Sequence, residues 1–267
     1  MNKELIKSEF NKYVSDYDTN DTKIYLKIVH TFRVADMCEV IAESLCNKKE
    51  PSYANLSNDD ITLAWTIGML HDIARFEQVR IYGTFNDSQS VDHAELGADL
   101  LFKEGLVERF EIEPEYHGII ETAIRNHNKY RLPENLSDRE LMFCKIIRDA
   151  DKVDIIRVNY DQPIHEIYNV SEEKLKQEAI SDTVYNAFFE HSAINHSLKE
   201  TTIDRVVGHA SLCYELEFKK SRQLALEQGY IQKLLDYKSD NAETRKRLAV
   251  IKEYILDYLS KRVNECE

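Results

Sequence analysis

The stretch ITLAWTIGMLHDIARFEQ, residues 61–78, constrains the fold of this chain more than any other. Ile61, Ala64, Trp65, Ile67, Gly68 and Leu70 recur at helical spacing and run directly into His71-Asp72. An imidazole and a carboxylate at the end of so apolar a helix lose hydration unless something binds them. A divalent cation is the simplest partner, and His and Asp residues elsewhere in the chain are available to complete its shell.

The rest of the sequence is written for helices. Only 7 of 267 residues are Gly and 4 are Pro, which disfavours a turn-rich β architecture. Residues 3–14 predict a short helix, with Asn20 or Asp21 capping a long one from Lys23 to Cys46. His30 lies on the buried edge of that second helix, with Arg33 one turn further on. A loop from Asn47 to Ser57 contains Pro51, and Asn58-Asp59-Asp60 is expected to cap a helix over Ile61–Arg75. Residues 79–91 lose the helical period and read as an irregular loop. A helix over Asp92–Lys103 places His93 on the face of Gly97, and Gly105 suits its stop. Pro114 opens another helix that ends near His127. The loop after it carries Lys129 and Arg131.

In the following helix Asp151 shares a face with Ile147, Asp154, Ile155 and Val158, while Asp149 lies with Ile146 and Val153. Asp151 is therefore the expected inward carboxylate, with Asp149 in reserve. Segments 171–190, 202–219, 221–237 and 241–263 keep the helical period without a further motif. His209 and Cys213 stand at i and i+4 with no further ligand in view, and His165, His191 and His196 lie in polar surroundings. The expected fold is all-α: a helical bundle over residues 1–164 and a helical extension, 165–267, packed on it.

Charge and cysteine usage bound the partners. The formal charge of −13 repels a long nucleic acid or an anionic membrane, though not a small phosphorylated substrate. Five cysteines without a CxxC pair fit reduced thiols in a cytoplasmic protein. No apolar run approaches the length of a membrane span, and the first residues lack a signal-peptide pattern. Oligomeric state is not legible.

His30, His71, His93 and His127 each occupy the buried edge or the end of a separate helix, and Asp72 and Asp151 hold equivalent places. Helical bundles build metal sites in this way. Histidine and carboxylate donors without thiolate suit Fe, Mn, Co, Ni or Zn better than Mg. The series His30, His71-Asp72, His93, His127, Asp151 resembles the HD-domain superfamily of metal-dependent phosphohydrolases. The surrounding text, HTFRVADMCEVIA, MLHDIARFEQ, DHAELGADLL, IRNHNKYRLP and IIRDADKVD, is similar to that family's motifs over about residues 20–160.

That resemblance implies one ion held by His30, His71, Asp72 and Asp151. His93 and His127 match the two-metal branch, in which Asp72 bridges the ions. Asn126 and Asn128 flank His127 where some cyclic-dinucleotide phosphodiesterases carry paired histidines, and no GYP signature is present, which argues against cyclic-di-GMP. HDIAR, with Arg75, replaces the commoner HDIGK.

The implied reaction is attack of a metal-bound hydroxide on a phosphate ester of a small molecule or nucleotide. Besides Asp72, Arg33 and Arg75 are candidates to neutralise phosphoryl charge, and Lys129, Arg131 and Lys152 to bind substrate. Two other classes use or tolerate the same residues: a di-iron oxygenase, and a non-catalytic nucleotide-binding module.

Overall fold

A computed structural model describes residues 1–46, 56–161 and 170–265, and among these the regular elements are helices, with no strand. The chain is all-α, as expected. Most of the loop placed at 47–57, including Pro51, lies outside the described residues, as do His165 and Cys266. No described helix is long and apolar enough to cross a membrane. Cys38, Cys46, Cys144 and Cys213 form no disulfide among the described residues.

The chain divides into two compact units, Met1–Ala150 and Asp151–Glu267. The first unit contains α1 (Lys3–Val14), α2 (Thr22–Leu45), α3 (Asn58–Leu70), α4 (Ala74–Tyr82), α5 (His93–Phe102) and α6 (Pro114–Asn126). It ends within α7 (Asp138–Asp161), an unbroken helix that crosses the division.

Helix starts follow their capping residues. Asn2 accepts from the Glu4 and Leu5 amides at the head of α1, and Asp21 from the Lys23 amide at the head of α2. Asp92 caps α5, and Pro114 occupies the first turn of α6, where no amide donor is needed. The cap of α3 is one residue earlier than predicted. Ser57 accepts from the Asp60 amide while Asp60 accepts from the Ser57 amide, so both orphan donors are satisfied by a reciprocal box.

The helix predicted over Ile61–Arg75 is two helices with a break at His71-Asp72-Ile73. In an unbroken helix the Gly68 carbonyl would pair with the Asp72 amide; here it accepts from His71 Nδ1 at 2.7 Å. Turn bonds from Ile73 to Leu70 and from Arg75 to Asp72 carry the chain into α4. Residues 79–82 are therefore helical rather than loop, and α4 stops at Gly83, whose φ of +68° leaves the helix.

The core around this break is closely packed. Gly68 lets α3 lie against α2: a Cβ there would stand 2.6 Å from the Ala35 Cα. Trp65, Phe76, Phe110 and Phe143 are buried, and Phe10 meets Phe32 and Phe76 edge-on at 5.6 and 5.8 Å. α5 packs on α4 and α6, bringing Gly97 against Ile73, Ala74 and Ile124.

The second unit comprises the end of α7, α8 (Glu172–Gln177), α9 (Asp182–Phe188), α10 (Thr202–Ser211), α11 (Lys219–Gln228), α12 (Tyr230–Leu235) and α13 (Ala242–Asn264). Leu175, Phe188, Ile203, Val207, Leu234, Ile251 and Ile255 form its core. The periodic segments 171–190 and 221–237 are each split in two. Residues 178–181 separate α8 from α9, and Gly229, with φ +68°, separates α11 from α12.

Candidate metal centre

Two of the histidines named from the sequence end helices in the same way. His71 follows the last turn of α3 and His127 that of α6, and each places Nδ1 2.7 Å from the carbonyl three residues back, Gly68 or Ile124. A carbonyl only accepts, so Nδ1 carries the proton and donates, and Nε2 keeps its lone pair. His93 begins α5, and its Nδ1 lies 2.5 Å from Asp87 Oδ2 with the same consequence. Three imidazoles thus turn an electron pair toward the Asp72 carboxylate, in the tautomer that a metal requires. His30 joins them from the middle of α2; all four rings are buried.

Asp72 divides the cluster into halves. Its Oδ2 faces His30 Nε2 at 3.6 Å and His71 Nε2 at 3.5 Å. Its Oδ1 faces His93 Nε2 at 3.4 Å and His127 Nε2 at 3.8 Å. Ligand atoms within each half lie within 4.8 Å of one another, and so do those of His71, His127 and Asp151, the last supplied by α7. The structure thus brings all six sequence-named residues into overlapping groups centred on the doublet.

The donor set fits divalent metal by a test internal to the site. His93 Nε2 and His127 Nε2 stand 2.9 Å apart, and both rings commit Nδ1–H elsewhere. Two lone pairs at that distance repel unless a proton or a metal ion lies against both. Asp72 meets the same requirement for charge. Burial opposes its ionisation, but the Lys27 ammonium, with the Arg75 guanidinium and the adjoining His71 and His93 rings, outweighs burial and holds the carboxyl well below the usual carboxylate range.

A polar brace surrounds the ligands. Arg75 places Nε 3.4 Å from Asp72 Oδ1, and its Nη1 donates to Gln78 Oε1, the Phe85 carbonyl and Asp87 Oδ1 at 2.7, 2.7 and 2.8 Å. Buried Gln78 donates in turn to Asp87, Ser90 and the Val91 carbonyl. Burial works against the Asp87 charge too, yet the His93 hydrogen bond and the Arg75 guanidinium keep its carboxyl ionised. Asp87, Asp92 and His93 also lie close enough to hold an ion. Their oxygens are already engaged by Arg75, Gln78, Asn128 and Lys129, which makes the group a support for His93.

The other named cations are spread around the centre. Arg33 is half-buried one turn beyond His30. Lys129 pairs with Asp92 at 2.6 Å and Glu95 at 3.1 Å. Arg131 is exposed, its guanidinium 5.9 Å from the Tyr130 ring centre. Lys152, next to Asp151 on α7, pairs with Glu215 at 3.1 Å. On α7 Asp149 and Asp154 are more deeply buried than half-buried Asp151, and Ile155 and Val158 are only half-buried. The face drawn from periodicity is thus shielded at Ile147 and Asp154 and only half-shielded at the other three positions. His209 and Cys213 belong to no metal-sized group among the described residues. Burial, with Lys199 and Arg205 nearby, pushes His209 down to about 3, and burial raises Cys213 to about 12.

Sequence reasoning missed Lys27, whose Nζ lies 2.6 Å from Asp72 Oδ2, together with Gln78 and Asp87. A signal for part of the brace was present: Asp72, Arg75 and Gln78 recur every third residue along one helical face.

An all-helical protein in which four buried imidazoles gather around the buried carboxylate of Asp72 is what fold and site define together. Residues 28–156 match the family model of the HD domain. HD domains belong to a superfamily of metal-dependent phosphohydrolases. Comparison with curated proteins and with solved structures returned no match.

Proposed function

We propose that this protein is a metal-dependent phosphohydrolase acting on a small phosphate ester or a nucleotide. The observation that carries the reading is the division of Asp72, with each carboxylate oxygen facing its own pair of imidazoles inside an HD domain. In this reading His30, His71, Asp72 and Asp151 would hold one divalent ion, and His93 and His127, with Asp72 shared, would hold a second. The donors favour Fe, Mn, Co, Ni or Zn over Mg. Ions bound there supply a Lewis-acidic charge that acidifies water and neutralises phosphoryl oxygens.

The protein's part is orientation and charge. Gly68, Ile124 and Asp87 fix the three imidazole tautomers, and Arg75 steadies Asp72 and Asp87 together. Arg33 and Arg75 add positive potential beside the reacting phosphate. Lys129, Arg131 and Lys152 are proposed substrate contacts, of which Arg131 is the most exposed. The net charge of −13 favours a small substrate over a long nucleic acid.

The test is metal analysis followed by a panel of phosphomonoesters, nucleotides and cyclic nucleotides. Hydrolysis that is lost on chelation and restored by metal is expected. A metal-replete protein inert on the whole panel contradicts the reading. Oxygen consumption by an iron-loaded but hydrolytically inert protein would instead favour an oxygenase, which a histidine and carboxylate set also suits. Tight nucleotide binding without turnover would favour a binding module.

A further inference from the structure

Lys27 lies one turn before His30 on α2, and its ammonium reaches the centre from the side of the first ligand pair. Its Nζ is 2.6 Å from Asp72 Oδ2, the oxygen that faces His30 and His71. An ion bound by those two imidazoles must draw on the same oxygen, so ammonium and ion compete for one charge.

Among the described residues two cations, Lys27 and Arg75, approach Asp72, and they are held differently. Arg75 is fixed by Gln78, the Phe85 carbonyl and Asp87, which leaves its planar fork little room to move. Lys27 has Asp72 and the face of the Phe85 ring, 5.7 Å from Nζ, and its side chain remains 21% exposed. A four-carbon stem lets an ammonium swing without disturbing the backbone. When Oδ2 is taken, Arg75 stays and Lys27 is the cation that moves, still within reach of whatever binds beside that oxygen.

We propose that Lys27 is the mobile cation of this centre. It neutralises Asp72 before metal binds and, displaced by the ion, anchors an anionic phosphoryl oxygen of the substrate. The anchoring half rests on the phosphohydrolase reading, whereas the competition half needs only that the centre binds metal.

The experiment uses the full chain, stripped of metal, as wild type, Lys27→Met and Lys27→Arg. Manganese or zinc alone is titrated calorimetrically, and inorganic phosphate is then titrated into each metal-loaded protein. Lys27→Met is expected to bind its first ion about tenfold more tightly, within the usual range of coupling between ligands that share a site. Phosphate affinity should fall by about tenfold in the same variant, a similar coupling. Lys27→Arg, which keeps the charge, should stay near wild type in both. If Lys27→Met does not fold, Lys27→Gln, which retains a hydrogen bond to Asp72, takes its place. Unchanged or weaker metal binding in the folded variant overturns the competition, and unchanged phosphate binding overturns the anchor. A wild type inert on every phosphate ester would remove the phosphohydrolase reading and still leave the metal titration to decide the competition.

Discussion

An imidazole offers a metal only one nitrogen at a time, and what holds the other nitrogen decides which. At His71 and His127 the holder is the backbone of the residue's own helix, so the orientation is built in wherever the helix ends. At His93 the holder is a side chain, Asp87, itself shared with Arg75 and Gln78. This difference makes the His93 half of the centre the more fragile. Asp87→Asn should weaken metal binding to the group of Asp72, His93 and His127 by about 10–100-fold, as losses of such outer partners do. The group of His30, His71 and Asp72 should keep its affinity. Metal titration resolves the two: a weakened second equivalent with an intact first is expected, and equal weakening of both contradicts the account. The residues that gather at the centre were legible because each stands in a recognisable local pattern. Lys27 and Asp87 were not, since an isolated lysine or loop aspartate acquires its role only when distant elements converge.

At the scale of elements, the break between α3 and α4 positions the doublet, and the capping box at Ser57 and Asp60 sets where α3 begins. Asp60 also accepts from Arg139 on α7, tying the start of α3, which leads into the doublet, to the start of α7. Burial opposes the Asp60 charge, but the bonds from Arg139 and Ser57 lower its pKa below the ordinary 3.8. A folded-state pKa below the unfolded one stabilises the fold at pH values above the ordinary carboxylate range, and the gain fades as pH falls below about 4. Asp60→Asn should therefore cost about 1–3 kcal/mol at pH 7, the scale of lost charged hydrogen bonds. The deficit should shrink at pH 3. Urea unfolding at the two pH values checks this, and an equal deficit at both would contradict it.

Helix existence was legible almost throughout this chain, because apolar spacing and caps are local. The break after Leu70 was not. It depends on His71 taking a carbonyl that simple periodicity assigns to the next amide, and the apolar pattern runs on through Ile73 and Ala74 without interruption. Periodicity on α7 placed Asp151 and Asp154 on one inward face; Asp151 does come within ligand distance of His71 and His127, while Asp149, from the other side, is as shielded as Asp154.

For the molecule as a whole, a chain of net charge −13 gathers four imidazoles, an arginine and a lysine around one buried carboxylate. That concentration of donors matters more to the account than any single contact, and it depends on segments from His30 to Asp151 folding together. The HD-domain match spans the same interval, residues 28–156. The most direct measurement is an anomalous-scattering map of crystals grown with manganese, iron or zinc, collected at the metal's absorption edge. Two peaks are predicted, one against Asp72 Oδ2 with His30 and His71, the other against Oδ1 with His93 and His127. A map with no peak at Asp72, or with metal bound only elsewhere on the molecule, would contradict the account.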